Sequence, residues 1–223
     1  MKKIMMIFRG ESGESYESFD GKMMKIAKEI SGQSFPARLS LTYTFRQPPL
    51  LSIIPFRKNL ISVISIWFSG DEGVPWVPVS SGLCGAYLVE EALPVAYQKT
   101  WPDGEATPGV CLLTLFTRKP GLDHTTFLNR WHNSHTPLSL RIHPLWHYNR
   151  NVVRKRLQTT AEPWEGIVEE HFRQRSDLVN PFRFFGNPVH IIPNMIEVYK
   201  DTRSFLDYNT IETYMVREKI VKE

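Results

Sequence analysis

The segment Thr100–Gly109, "TWPDGEATPG", does most to limit how this chain can fold. Two prolines and two glycines in ten residues break any helix or strand, and they fall near the middle of 223 residues. On both sides the same succession of patterns appears. "IMMIF" (Ile4–Phe8) is a short apolar run of buried-strand type, and Tyr16–Ile30 repeats apolar residues near every 3.6 positions, as an amphipathic helix does. "ARLSLTYTF" alternates as a half-buried strand, "LISVISIWF" is rich in β-branched and aromatic residues, and "AYLVEE" closes the half. After the break, "VCLLTLF" starts again as a strand, and Asp123 is placed to cap a helix. "WHYNRNVVRKRL", "GIVEEHF", the helix "NMIEVYKDTRSFL" and a last strand "ETYMVREKIV" follow.

Each half reads strand, helix, strand, strand, an optional helix and a last strand. The predicted fold class is therefore α+β, with two ferredoxin-like βαββαβ halves. The expected division is a divergent N-terminal half at 1–99, a linker at 100–109 and a C-terminal half at 110–223. Ile4 and Leu112 lie 108 positions apart, whereas Tyr87 and Tyr214 of the similar "YLVEE" and "YMVRE" lie 127 apart. A duplication thus requires extra residues in the second half, around Arg173–Pro193. A four-stranded sheet with helices on one face leaves its other face uncovered. Two halves solve this by closing face to face as an eight-stranded barrel, within one chain or between two chains of a homodimer. A cavity between the two sheets is the expected place for a small-molecule site.

Composition removes several function classes. Basic residues exceed acidic ones only by 27 to 23 and are scattered, apart from Arg150, Arg154, Lys155 and Arg156, so no nucleic-acid stripe forms. The two cysteines, Cys84 and Cys111, have no CxxC spacing. The opening "MKKIMMIFRG" has too short an apolar run for a signal peptide, and nothing reaches bilayer-spanning length. The expectation is a cytoplasmic protein with neither nucleic-acid nor membrane partners.

Four of the seven histidines, His132, His135, His143 and His147, gather in the short region from "RWHNSHTPL" to "WHYNR". Phe127, Trp131 and His135 are spaced four apart, so on a helix they form one stripe, each offset by only about 40°. His135 has the chemistry of a general acid or base, since imidazole titrates near pH ~6.5; packing against Trp131 at a helix end is the competing reading. The spacings His132/His135 and His143/His147 suit a metal, but no carboxylate accompanies them. His147 and Tyr148 face opposite sides of a strand, and His132 is turned about 100° from Trp131, toward solvent. No metal is expected. Tyr148 can hold a substrate oxygen or serve as a core aromatic. Asn151, three residues on, shares a cavity with it only across a bulge.

The residues "RKPGLDHTTFLNRWHNSHTPL" and "LWHYNRNVV", within Leu112–Val153, resemble the EthD family, named after ethyl tert-butyl ether degradation, of the dimeric α/β-barrel superfamily. The pattern is carried by Arg118 and Lys119, Phe127, Trp131, His135 with Pro137, and Tyr148 with Asn151. "FLDYNTIETYMVREKIV" is similar to the family's last segment and places Asp207 before the final strand. The resemblance implies a cofactor-independent enzyme acting on a small apolar or aromatic molecule. His135 and Tyr148 would be catalytic, with Trp131, Asn151, Asp207 and Phe127 around the substrate. Decarboxylation, dehydration, isomerisation and ring oxidation all stay open. So do a non-catalytic binding or accessory protein and a haem or metal oxidoreductase. The first half has no counterpart of Trp131 or His135, so a site there would be dead.

Overall fold

A computed structural model describes residues 1–69 and 81–223. Eight strands form one closed antiparallel barrel. In chain order they are β1 (Lys2–Arg9), β2 (Pro36–Thr44), β3 (Ile61–Phe68), β4 (Leu83–Val95), β5 (Val110–Phe116), β6 (Leu145–Arg156), β7 (Gly166–Phe172) and β8 (Glu212–Lys222). Around the barrel the order is β1-β3-β2-β8-β5-β7-β6-β4, and β4 returns to β1. The barrel closes within one chain through the β2–β8 and β4–β6 seams. The pairing of β5 with β7 and β8, and of β6 with β7, repeats that of β1 with β3 and β4, and of β2 with β3.

Helix α1 (Tyr16–Ser31) covers the outside of the first four strands. Ser15 caps it by accepting from the Ser18 N–H, and Phe19, Met23, Ala27 and Ile30 form its buried stripe. The second helix expected in the first half would fall between β3 and β4, at residues 70–80, which lie outside the described residues. The second four strands carry α2 (His124–Asn129), a π-helical turn (Arg130–His135), α3 (Thr136–Ile142), α4 (Arg175–Val179), α5 (Pro181–Phe184) and α6 (Ile191–Phe205). The short helices α4 and α5 occupy the stretch where extra residues were expected.

Both faces of most strands are covered, which explains why they read as unbroken apolar runs. On β5, Cys111, Leu113 and Leu115 point into the barrel, whereas Leu112 and Phe116 point out under the helices. The barrel interior is not the hollow expected from the sequence. Met5, Ile7, Ile61, Val63, Leu113, Ile167 and Val216 fill its middle, and polar networks plug both ends. At one end Arg9 binds the Tyr214 hydroxyl (2.7 Å), Glu212 (2.8 Å) and Glu162 (2.9 Å). At the other, Lys3 meets Glu91 at 2.9 Å, Glu169 accepts from Thr42, and Glu218 accepts from Tyr97 and Thr107. The His147 and His171 rings meet edge to face there, 4.9 Å apart.

Burial holds the pKa of both histidines at about 3, each also repelled by neighbouring positive charge, and that of His143 at about 4. These histidines stay neutral when folded but take up protons when unfolded below pH ~6.5, so their contribution to stability is lost as pH falls from there. Each costs about 1.4 kcal/mol per pH unit. Glu170, raised by burial to about 7, works in the opposite direction, holding a proton that the unfolded chain releases. The expected net loss between pH 7 and pH 5 is roughly 2–4 kcal/mol, read from urea unfolding at each pH. A flat profile would contradict neutral burial of these rings.

Candidate active site

The cavity lies elsewhere than between the sheets. It occupies about 670 Å³ on the outer face of the second four strands, between β5, β7 and β6 below and the π-helical turn, α3 and α6 above. Leu112, Phe116 and Val168 form its floor, Phe184 and Phe185 one end, and Val198 and Phe205 of α6 a wall. Phe182 is exposed, and Trp164 belongs to the barrel interior. The first half contributes the roof: Ile53–Arg57, from the β2–β3 connection, line the cavity. That segment is tied to β8 by Arg57 N–H to Thr213 O (2.8 Å) and Thr213 Oγ1 to Pro55 O (2.9 Å).

His135 reaches this cavity because of a local irregularity in the helix. Asp123 caps α2 as expected, its carboxylate accepting from the Thr126 N–H at 2.9 Å. At Arg130 the chain widens into a π turn, closed by Thr136 N–H to Trp131 O. Such a turn is rare and costs hydrogen-bond geometry, so it is found mostly where a side chain must be re-aimed. Here the Thr136 hydroxyl also donates to Trp131 O (3.0 Å) and accepts from Arg150 (2.8 Å), pinning the turn to β6.

The imidazole of His135 is held at both nitrogens. Nδ1 lies 2.8 Å from Asp201 Oδ2 on α6, and Nε2 lies 3.2 Å from Ser139 Oγ one turn along. Asp201 also accepts from the Ser134 hydroxyl at 2.5 Å. Burial pulls the Asp201 pKa up, but the bonds from His135 and Ser134 outweigh it and hold the carboxyl below its usual range. An ionised Asp201 fixes Nδ1 as the N–H, which leaves Nε2 as the basic nitrogen, facing the cavity and Ser139.

Two more polar groups lie on the cavity floor. Glu170 of β7 is 8% exposed and lines the cavity, and Tyr148 of β6 is its direct cross-strand partner. The Tyr148 hydroxyl is wholly buried without a hydrogen-bond partner among the described residues, and its pKa is raised by burial and by Glu170. His143 hydrogen-bonds Phe184 O at 2.9 Å and stacks on that ring.

Of the residues singled out from the sequence, His135, Trp131 and Tyr148 meet at this cavity. Three others do not line it. Asn151 is on the opposite face of β6, where its amide donates to Ile167 O at 3.1 Å; β6 bulges at Leu145–His147, too early to bring Asn151 round. Phe127 is buried behind Trp131, with ring centroids 5.6 Å apart. Asp207 builds the turn before β8, accepting from Asn209 N–H at 3.0 Å. His147 faces away from Tyr148, as its strand position requires. His132 Nε2 is buried without a partner rather than solvated. The four histidines do not converge. Among the described residues no group of three or more His, Cys, Asp or Glu is placed to hold a metal ion, so the side chains do not fit the metal reading.

Glu170 and Asp201 are the site groups that sequence reasoning missed. Glu170 had a signal, because "EE" inside the apolar strand "GIVEEHF" puts one carboxylate on each buried face. Asp201 had none, since an acid on an amphipathic helix is normally solvated.

Gly166 lets the cavity wall settle onto the sheet. A Cβ there would come within 2.3 Å of the Phe116 ring and 2.8 Å of Trp131. Gly166→Ala is expected to cost about 1–3 kcal/mol as these rings are forced apart. Thermal unfolding measures this, and an unchanged midpoint would show that the wall yields freely.

Fold and site together define an α/β barrel with an apolar cavity under its second set of helices and a carboxylate-backed histidine inside it. The comparison with known families agrees: residues 119–185 match the EthD domain, under a third of the chain but including Trp131, His135 and Tyr148. An anthrone oxidase-like protein of known structure superposes with a TM-score of 0.62 at 9% identity, over 100% of this chain and 94% of that one. A Fusobacterium nucleatum protein, provisionally described as a monooxygenase, superposes with a TM-score of 0.50 at 8% identity, over 99% of this chain and 93% of that one. At such identities these likenesses show the fold. No curated protein matches the chain in sequence. Among the described residues no helix is long and apolar enough to cross a membrane.

Proposed function

We propose that this protein is an oxidase-type enzyme that acts on a small aromatic or otherwise apolar molecule without a tightly held cofactor, with His135 as its general base. The observation that carries this reading is the Asp201–His135 pair, 2.8 Å apart at the wall of a largely apolar cavity. The carboxylate fixes the tautomer and stabilises the imidazolium that forms when Nε2 takes a proton. The Ser139 hydroxyl, free to rotate, gives up Nε2 as the substrate settles. Removing a proton from carbon beside a carbonyl or an electron-rich ring leaves an anion that dioxygen can oxidise. For a ring methylene becoming a ketone, the overall change consumes one O₂ and releases one water. The names of the two similar structures favour oxidation over decarboxylation, dehydration or isomerisation, which need the same base; this preference is an argument from fold.

We also read the chain as two ferredoxin-like halves of common origin, divided at 100–109. The repeated pairing supports this, and it helps to place the cavity on the second half. By the 108-residue offset and the matching registers, the counterparts of Glu170 and Tyr148 are Ile66 and Leu39, both buried beneath α1. Among the described residues these counterparts belong to the apolar cluster under α1, whereas Glu170 and Tyr148 line the cavity.

The test is exchange of the acidic ring hydrogens of anthrone and related aromatic ketones in D₂O, followed by NMR, with oxygen uptake in parallel. Wild type is expected to accelerate both, and His135→Ala to abolish the acceleration. Binding without exchange across the panel would favour a non-catalytic carrier instead.

A further inference from the structure

Resting on that reading of His135, we infer that Glu170 is a second catalytic residue, a carboxylic acid that donates a hydrogen bond to the substrate's carbonyl oxygen, and that the cavity therefore takes neutral ketones in preference to carboxylates. Glu170 is on the cavity floor, 8% exposed, and none of the hydrogen bonds or ion pairs that bind the other buried carboxylates reaches it. Glu169, Glu91 and Glu218 face the barrel and have Thr42, Lys3 with Trp67, and Tyr97 with Thr107 as partners. Glu170 faces the helices and has no such partner among the described residues.

The groups packed against Glu170 do not neutralise a carboxylate. From β6 comes Tyr148, whose hydroxyl is buried and unpartnered, and Arg150, which is directed to Thr136. From β5 comes Leu112, from the π turn His135, and from just past the end of α3 His143, whose pKa is lowered to about 4 by burial. Asp201 and Tyr199 of α6, Tyr208 and the exposed Arg57 complete the charged and titratable surroundings. In an apolar pocket of this kind burial raises the carboxyl's pKa to about 7, partly offset by His135, so the neutral acid persists up to about neutral pH. A neutral acid opposite a base that removes a proton is the arrangement an enolising enzyme needs. The acid donates to the oxygen on which negative charge develops while His135 takes the proton from carbon.

The probe is 2-acetylnaphthalene, whose ketone oxygen can only accept a hydrogen bond. Its binding is followed by quenching of intrinsic tryptophan fluorescence between pH 6 and pH 8.5. In wild type the affinity is expected to fall about 10-fold over that range as Glu170 ionises. In Glu170→Gln the amide N–H donates at every pH, so binding stays strong and flat. In Glu170→Leu it is flat and about 10-fold weaker than wild type at pH 6. His135→Ala should still bind more weakly as pH rises, with the midpoint shifted upward by loss of its neighbour's charge, while losing exchange, so the two readings fail separately. Equal affinity in wild type and Glu170→Leu at pH 6 overturns the inference, as does a flat wild-type profile.

Discussion

Replacing His135 by alanine is expected to lower turnover by about 10²- to 10⁴-fold, the usual contribution of a positioned general base. The loss should appear in kcat with KM little changed, because cavity contacts from Leu112, Phe116, Val168 and Phe205 bind the ground state and survive the substitution. Asp201→Asn is the sharper companion. It keeps the volume of the carboxyl but removes the charge that fixes Nδ1 as the donor. An amide can instead donate to Nδ1 and put the proton on Nε2, where it cannot act as a base. A fall of similar order is expected, with the fold intact by circular dichroism. Ser139→Ala should cost far less, because its hydroxyl only occupies Nε2 in the empty site. If Ser139→Ala were as damaging as His135→Ala, Ser139 would be the reacting group and the chemistry would be acyl transfer. If Asp201→Asn retained full kcat, the base would lie elsewhere.

What could be read from the sequence follows from where each element is buried. Strands covered on both faces announce themselves as apolar runs, and "GIVEEHF" and "VCLLTLF" match β7 and β5 residue for residue. Helix α2 was legible from Asp123, and the direction of Tyr148 against His147 from strand alternation. The cavity's location was not. An eight-stranded barrel of ordinary side chains leaves little interior once Met5, Ile7, Ile61 and Leu113 enter it. The open volume arises where α6 and the π turn stand away from β5 and β7, and no local pattern encodes that distance. The π turn itself is invisible to a periodicity argument based on 3.6 residues. Yet it decides that His135 faces Asp201 and the cavity, while His132 is turned aside with a buried, unpartnered nitrogen. Asn151 and Asp207 were placed by resemblance, and the first is excluded from the cavity by strand geometry alone.

Lys3→Met is expected to be the most damaging change to stability, at roughly 3–5 kcal/mol, the range for removing one partner of a buried ion pair. Lys3 is 2% exposed; its ammonium lies 2.9 Å from Glu91 Oε1, 4.0 Å from Glu169 Oε2 and 4.4 Å from the centre of the Trp67 ring. Burial alone would raise the Glu91 pKa, but the charge and hydrogen bond of Lys3, helped by Trp67, hold it below the usual value. Methionine fills the same space, so packing is kept and the cost comes from two carboxylates losing their cation. That origin gives the prediction a pH signature. Without Lys3 the Glu91 pKa rises above its unfolded value, so the folded variant gains a proton as pH falls and its deficit relative to wild type shrinks. In urea, the midpoint should drop by about 1–2 M at pH 7.5 and by distinctly less at pH 5.5. Adding Glu91→Gln, whose carbonyl can still accept from Trp67, should recover about half of the loss at pH 7.5 and remove most of the pH dependence. A deficit that is small, or equal at both pH values, would mean that water reaches this end of the barrel and solvates the carboxylates that Lys3 is taken to hold.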